Sequence, residues 1–391
     1  MHENASTITH IRAAKVRDPT ALGRPKLAPA AWHTDIDHMN PLGIDLHYVG
    51  KGSDLAPPWG ELVCVARSAS GEFGLGMTSN AGPVLPVIND LLAQVVIGRD
   101  VHHVESIWDS MLRSCAANIG AEGLASHAMS AVDLALWDLR GKVEDQSVVD
   151  RIGGARADSL PCYATTPYAQ AALDAGFEAV KLPTPWSGDA DSSIDRVVEA
   201  VEAARHTMGA GTLMLDGWAV MDLEHATAIG RAVAPYGLRW LEDALMPADV
   251  DAYSELATRL PHLEIAAGER WYTTNPFERA LGRSAPHVLQ PDVQWVGGAT
   301  PLVRIGRAAS KAGRTLSIHC AANDNYGQHL AFGLPGDDLA ELYVHGDDLD
   351  DPAGWRSLSG TVASIGGRIT PPGGPGFGIE LFLDDIERAV R

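Results

Sequence analysis

Five residues stand out by type and spacing: Asp216, Glu242, Glu269, Asp292 and His319, which follow one another at intervals of 26, 27, 23 and 27 residues. Each closes a short apolar run, as in Met214-Leu215-Asp216, Trp240-Leu241-Glu242 and Ser317-Ile318-His319. The first three are carboxylates. Converging carboxylates repel one another unless a cation lies between them, and an all-oxygen donor set suits Mg²⁺. The plainer reading is that each carboxylate caps the helix after its strand; it explains one such residue better than three in register. Asp292 and His319 form a second group. A carboxylate that takes one imidazole nitrogen orients the ring and raises its basicity, leaving the other nitrogen as a general base. A metal site beside such a base suits removal of the weakly acidic proton next to a carboxylate, because a cation stabilises the charge that develops.

The elements needed to position these residues are legible in the pattern. From about residue 158, eight short apolar runs (161–165, 179–182, 212–215, 238–241, 263–267, 288–290, 315–318 and 339–344) alternate with amphipathic stretches such as 194–208 and 301–312. Eight β–α repeats predict a modified (β/α)8 (TIM) barrel, in which strand C-termini face the site. The runner-up, an open doubly wound sheet, lacks a glycine-rich turn after its first strand. Before residue 158 the pattern is α+β: a hairpin over 61–77, then helical stretches at 84–92, 104–112 and 127–139. Residues 12–56 show no periodicity and read as a long loop. The expected domains are an N-terminal α+β unit over 1–157, the barrel over 158–362, and a return of 363–391 to the first unit.

These segments resemble a known family. The stretch 130–139 with Asp133 and Trp137, Lys181 with Pro183, Thr184 and Trp186, Asp216 with Trp218, Pro235 with Trp240, Gly268-Glu269, Gln290-Pro291-Asp292 with Trp295, Gly297 and Gly298, and Pro375-Gly376-Phe377-Gly378 are similar to the enolase superfamily. The likeness is to its mandelate racemase branch, and most closely to the L-rhamnonate dehydratases. It implies a capping domain made from both ends of the chain, and one Mg²⁺ per subunit on Asp216, Glu242 and Glu269. It also implies a base at His319 paired with Asp292, and an acid-sugar substrate that loses water to become a 2-keto-3-deoxy acid.

Many relatives carry a second base at the second lysine of a Lys-x-Lys pair, where this chain has Pro183. Proline cannot titrate, which disfavours two-base racemisation. Lys181 keeps the first position, either as a contact to the substrate carboxylate or as a structural charge. Glu269 is followed by Arg270-Trp271 where the dehydratases have a histidine pair, so a cation and a large ring are expected to alter that part of the pocket. His33, beside Trp32 and near His38, is a substrate contact or a solvated loop residue. Glu341 either hydrogen-bonds the reaction intermediate or is a strand-end surface charge. The rival readings are an epimerase, racemase or cycloisomerase of the same superfamily, and a sugar-acid-binding paralogue without turnover.

The chain has 391 residues, 46% of them hydrophobic, and a formal charge of −20 from 50 acidic and 30 basic side chains. That balance argues against nucleic acid as a partner. No apolar run approaches the length that spans a bilayer, and no signal peptide is evident. A cytoplasmic homo-oligomer is expected. Cys64, Cys115, Cys162 and Cys320 show no Cys-x-x-C pairing and read as buried thiols. The acidic run Asp347, Asp348, Asp350 and Asp351 lacks the spacing of a calcium loop, and His102-His103 lacks a third ligand.

Overall fold

The computed structural model describes residues 4–24, 59–184, 190–344 and 356–391. The chain opens with strands β1 (Ile8–Lys15), β2 (Leu62–Ser68) and β3 (Phe73–Thr78), paired antiparallel in that order. β1 corrects the expectation of a loop from residue 12. Its buried residues, Ile8, Ile11 and Ala13, are interrupted by exposed polar ones. An edge strand of this kind carries too few apolar residues to show a period. Helices α1 (Val104–Asn118) and α2 (Leu124–Glu144) follow. Both run further than the apolar pattern predicted.

α2 is buried almost throughout, from Ala125 to Leu139. One side lies on β3. There Gly74 and Gly76 leave no room for a side chain, since a Cβ at either would run into the backbone of Ala131 and Ala135 or of Ala135 and Leu139. The other side bonds to the following unit: Ser126 Oγ donates to Trp295 O at 2.6 Å, Gly297 N to Ser130 Oγ at 2.8 Å, and Thr300 N to Asp133 Oδ2 at 2.8 Å. Short polar side chains thus join this helix to a loop, and to the start of the helix after it, more than 160 residues away.

The second unit alternates β4 (Leu160–Thr165), α3 (Ala169–Asp174), β5 (Ala179–Pro183), α4 (Ala190–Met208), β6 (Thr212–Asp216), α5 (Leu223–Ala232), β7 (Trp240–Glu242), α6 (Val250–Arg259), β8 (Glu264–Ala267), α7 (Asn275–Leu281), β9 (Val288–Leu289), α8 (Ala299–Lys311), β10 (Thr315–Leu316), α9 (Asn325–Gly333) and β11 (Ala340–Tyr343). All eight expected strands are present. They pair in parallel in the order β10-β9-β8-β7-β6-β5-β4-β11. The doubly wound alternative fails because the last strand lies beside the first.

Past β10 the curl is drawn together partly by a side chain. Asn323 Oδ1 accepts Tyr343 N and its Nδ2 donates to Tyr343 O, both at 2.8 Å, while Ala322 N donates to Glu341 O at 2.8 Å. Inside the sheet, Tyr163, Ala179, Met214, Trp240, Ala266 and Val288 form a closed apolar cluster. Two residues further along several of these strands, the inward positions become polar: Thr165, Lys181, Asp216, Glu242 and Gln290. The tail adds β12 (Arg368–Ile369), antiparallel to β4, and α10 (Leu383–Val390), whose Ala389 O accepts the backbone N–H groups of Arg17 and Asp18. Among the described residues, no helix is long and apolar enough to cross a membrane.

Candidate active site

The parallel register sets Pro183 across from Asp216, and Asp216 across from Glu242, at the C-terminal ends of β5, β6 and β7. Glu269 reaches the same mouth from just beyond β8. Gly268 turns there with φ +135°, and a Cβ would crowd Gln290 N. Asp292 and His319 follow β9 and β10, and Glu341 lies within β11. All six acidic and imidazole groups are buried.

Lys181 stands among these carboxylates. Its Nζ donates to Glu242 Oε1 and lies 2.7 Å from Glu341 Oε1 and 3.4 Å from Asp216 Oδ2. The charge is 1% exposed, so its partners are these side chains rather than water. Burial alone lowers its pKa, but Glu242, Glu341 and Asp216 overcome that and hold it well above the ordinary lysine value. Glu242 Oε2 also accepts Gln290 Nε2 at 2.6 Å and Trp240 Nε1 at 3.0 Å. Glu341 accepts Thr165 Oγ1 at 2.6 Å and Cys320 N at 2.9 Å. It is fully buried, which corrects the surface-charge reading. Burial raises its pKa, yet Lys181, His319 and the Thr165 hydroxyl bring it down to about 2.

Arg270 Nη1 lies 2.9 Å from Glu269 Oε2 and 3.3 Å from Asp243 Oδ2, with its guanidinium 5.6 Å from the Trp218 ring centre. The head group that was expected at the substrate is thus engaged by carboxylates. Trp271, the large ring expected to alter this part of the pocket, turns away from it. It is buried in the core, edge-on to Tyr253 and Phe277.

His319 Nδ1 lies 2.7 Å from Asp292 Oδ2, and its Nε2 lies 3.6 Å from Glu269 Oε1 and 3.3 Å from Cys320 Sγ. Asp292 also accepts Gln294 N at 2.7 Å and has Arg356 Nη1 at 2.7 Å. Burial pushes the Asp292 carboxyl up, but Arg356 and His319 bring it below the usual range. For His319, burial lowers the imidazole pKa while Cys320, Glu269, Glu341 and Asp292 raise it, and the result is well above the usual value.

Six carboxylates (Asp216, Glu242, Asp243, Glu269, Asp292, Glu341) thus face three fixed cations (Lys181, Arg270, Arg356). The shortfall falls on the carboxyl groups themselves. Burial and neighbouring carboxylates push Glu242 up to about 8 and Asp243 up to about 7, and Asp216 is also raised. A divalent cation on oxygen donors fits such a deficit. The three expected ligands line one mouth, with Lys181 and Arg270 paired to them. Among the described residues, the three donor groups that approach within 4.8 Å of one another are instead His319, Cys320 and Glu341.

Residues 61–153 match the mandelate racemase/muconate lactonizing enzyme N-terminal domain, and residues 166–386 match the enolase C-terminal domain-like family. The chain belongs to the mandelate racemase/muconate lactonizing enzyme family of the enolase superfamily. It is 34% identical over 328 residues to an L-rhamnonate dehydratase from Saccharopolyspora erythraea, covering 82% of this chain and 83% of the relative. Its fold matches that of rhamnonate dehydratase from Gibberella zeae complexed with Mg, with a TM-score of 0.87 at 23% identity over 99% and 97% of the two chains. It also matches that of a 3,6-anhydro-D-galactonate cycloisomerase from Zobellia galactanivorans, with a TM-score of 0.76 at 21% identity over 99% and 100%.

Thr165, Asp243 and Arg356 were not singled out by sequence; Trp240 and Gln290 entered only through the apolar runs and the family resemblance, and Cys320 only as a buried thiol. Thr165 and Gln290 could have been found by the period of two that also places Glu242. Arg356 carries no periodic signal. His33, Trp32, His38 and the acidic run 347–351 lie outside the described residues. His102 is half-buried, with Nδ1 2.7 Å from Glu144 Oε1.

Proposed function

We propose that this member of the family is a Mg²⁺-dependent acid-sugar dehydratase, a hydro-lyase, with L-rhamnonate or a close analogue as its substrate. The observation that carries the reading is the His319–Asp292 pair, whose second imidazole nitrogen lies 3.6 Å from Glu269. The named L-rhamnonate dehydratase relative supports the substrate class. The residues fit a metal, because the donors are oxygens and buried negative charge is in excess. Asp216, Glu242 and Glu269 would hold Mg²⁺, which when bound would stabilise negative charge developing on the substrate carboxylate.

In the neutral form of the ring, His319 Nε2 takes the C2 proton. Asp292 holds the ring through Nδ1, and Arg356 keeps Asp292 ionised, so the new imidazolium forms beside a fixed anion. The same imidazolium then protonates the C3 hydroxyl, which departs as water. One base on one face makes this a syn elimination, and the enol left behind becomes the 2-keto-3-deoxy acid. Pro183 offers no second base where two-base relatives have lysine. Glu341 is ionised and has no proton to donate to an intermediate; its part is to hold Lys181 and the Cys320 backbone. Lys181 and Arg270, beside the carboxylates that would hold Mg²⁺, are the cations placed to attract the substrate carboxylate. The α+β unit over 1–157 with the tail 363–391 caps the barrel over 158–362, an arrangement supported by the bonds from Arg17 and Asp18 to Ala389.

The test is to incubate the enzyme and Mg²⁺ with a panel of aldonates and assay for 2-keto-3-deoxy acids. Turnover that is lost in His319→Asn supports the reading. Deuterium exchange at C2 without water loss would replace it with an epimerase. Binding without exchange or turnover would replace it with a binding paralogue.

A further inference from the structure

We infer that His319, Cys320 and Glu341 form a second, inhibitory site for a thiophilic divalent cation such as Zn²⁺, distinct from the all-oxygen site for Mg²⁺. The three donor groups lie within 4.8 Å of one another and all are buried. His319 Nε2 and Cys320 Sγ are 3.3 Å apart. Two ligands of one tetrahedral Zn²⁺, at roughly 2.0–2.1 Å for nitrogen and 2.3 Å for sulfur, sit about that far apart. The backbone enforces the approach. Cys320 has φ +53°, an uncommon conformation for a residue with a side chain, and its N–H is held by Glu341 Oε2 at 2.9 Å. The thiol is thereby presented to the imidazole next to it in sequence.

The surroundings are those of a metal-bound histidine. Ligating imidazoles are commonly oriented by a carboxylate on the other ring nitrogen, and Asp292 fills that position at 2.7 Å. Glu269 Oε1, 3.6 Å from Nε2, supplies further negative charge. With the thiol proton released to solvent, the six carboxylates and Cys320 carry seven negative charges, which Lys181, Arg270, Arg356 and two divalent ions, one at each site, would balance. A Cys–His–Glu set selects a borderline-soft metal, whereas hard Mg²⁺ avoids thiolate. Occupancy removes the lone pair that the dehydratase reading assigns to the base. The inhibition rests on that reading, but the site itself does not.

The probe is Co²⁺, added to full-length enzyme with Mg²⁺ saturating. One equivalent is expected to give a thiolate-to-cobalt charge-transfer band in the near ultraviolet, displaced by Zn²⁺ and lost in Cys320→Ser. Cys64, Cys115 and Cys162 are buried elsewhere, so Cys64→Ser is expected to keep the band. Zn²⁺ is expected to inhibit wild type at concentrations at least about tenfold lower than Cys320→Ser. No band in wild type, or an undiminished band in Cys320→Ser, overturns the site. A Cys320-dependent band in an enzyme that dehydrates no acid sugar upholds the site and rejects the functional reading. Dehydration without the band does the reverse.

Discussion

Arg356 Nη1 lies 2.7 Å from Asp292 Oδ2, the same oxygen that takes Nδ1 of His319 at 2.7 Å. The carboxylate that orients the base is therefore shared with a guanidinium that is itself 1% exposed and 5.0 Å from the Trp295 ring centre. Such an arrangement keeps Asp292 ionised while limiting how strongly it attracts a proton onto His319.

Arg356→Met removes the cation and leaves the charge of Asp292 to His319 alone. The His319 pKa then rises, and the acid limb of the kcat profile moves to higher pH. kcat is expected to fall by about 10²-fold, within the range ascribed to general acid–base groups. A pH–rate series for wild type, Arg356→Met and Arg356→Lys checks this. An unmoved acid limb would remove Arg356 from the machinery.

Lys181→Met leaves Asp216, Glu242 and Glu341 without their shared cation. Breaking a buried pair by deleting one partner costs about 3–5 kcal/mol. Added Mg²⁺ is expected to restore much of that loss, so the rise in Tm on titrating Mg²⁺ should be larger in the variant than in wild type. Because the Lys181 pKa is raised in the fold, its contribution is fully present below about 10.4 and is lost only as pH rises through the folded value. Glu242, already at about 8 beside Lys181, is pushed higher without it, so between pH 7 and 9 denaturation should show the variant losing more stability than wild type.

His329, on α9, is fully buried and accepts Val149 N at 3.1 Å on Nδ1. Burial drives its pKa from 6.5 down to about 4. The unfolded chain therefore binds a proton that the native chain refuses, and stability falls as pH drops from about 6.5 towards 4. The loss from this residue is at most about 3 kcal/mol. His329→Asn keeps an acceptor for Val149 and does not titrate. Its urea midpoint should lose less than wild type between pH 7 and 5.

Gly76→Ala tests the seat of α2. The added Cβ meets Ala131 O, so the helix must move off the sheet. The expected cost is about 3 kcal/mol or more, beyond ordinary overpacking because a backbone atom blocks relaxation. Equilibrium denaturation measures it, with Gly71→Ala as a comparison in the open turn, where a Cβ meets nothing and only the positive φ is strained.

Much of the barrel was legible because its strands end in a chemically conspicuous residue at nearly constant spacing. Asp216, Glu242 and Glu269 could be placed at one mouth from that repeat alone, and Asp292 and His319 could be paired. β1 escaped because an edge strand with alternate exposed residues has little apolar signal. Trp271 was misjudged because position in the chain does not say which way a side chain turns beyond a strand end.

The order of elements and the convergence of carboxylates on a histidine follow from local pattern, since hydrophobic period and strand length are properties of neighbouring residues. What only the tertiary structure decided is which charge meets which. Lys181 among Glu242, Glu341 and Asp216, Arg356 on Asp292, and Arg270 between Glu269 and Asp243 are meetings of side chains brought together across strands and loops. In a buried site, where water cannot screen, those meetings set the charge of each group.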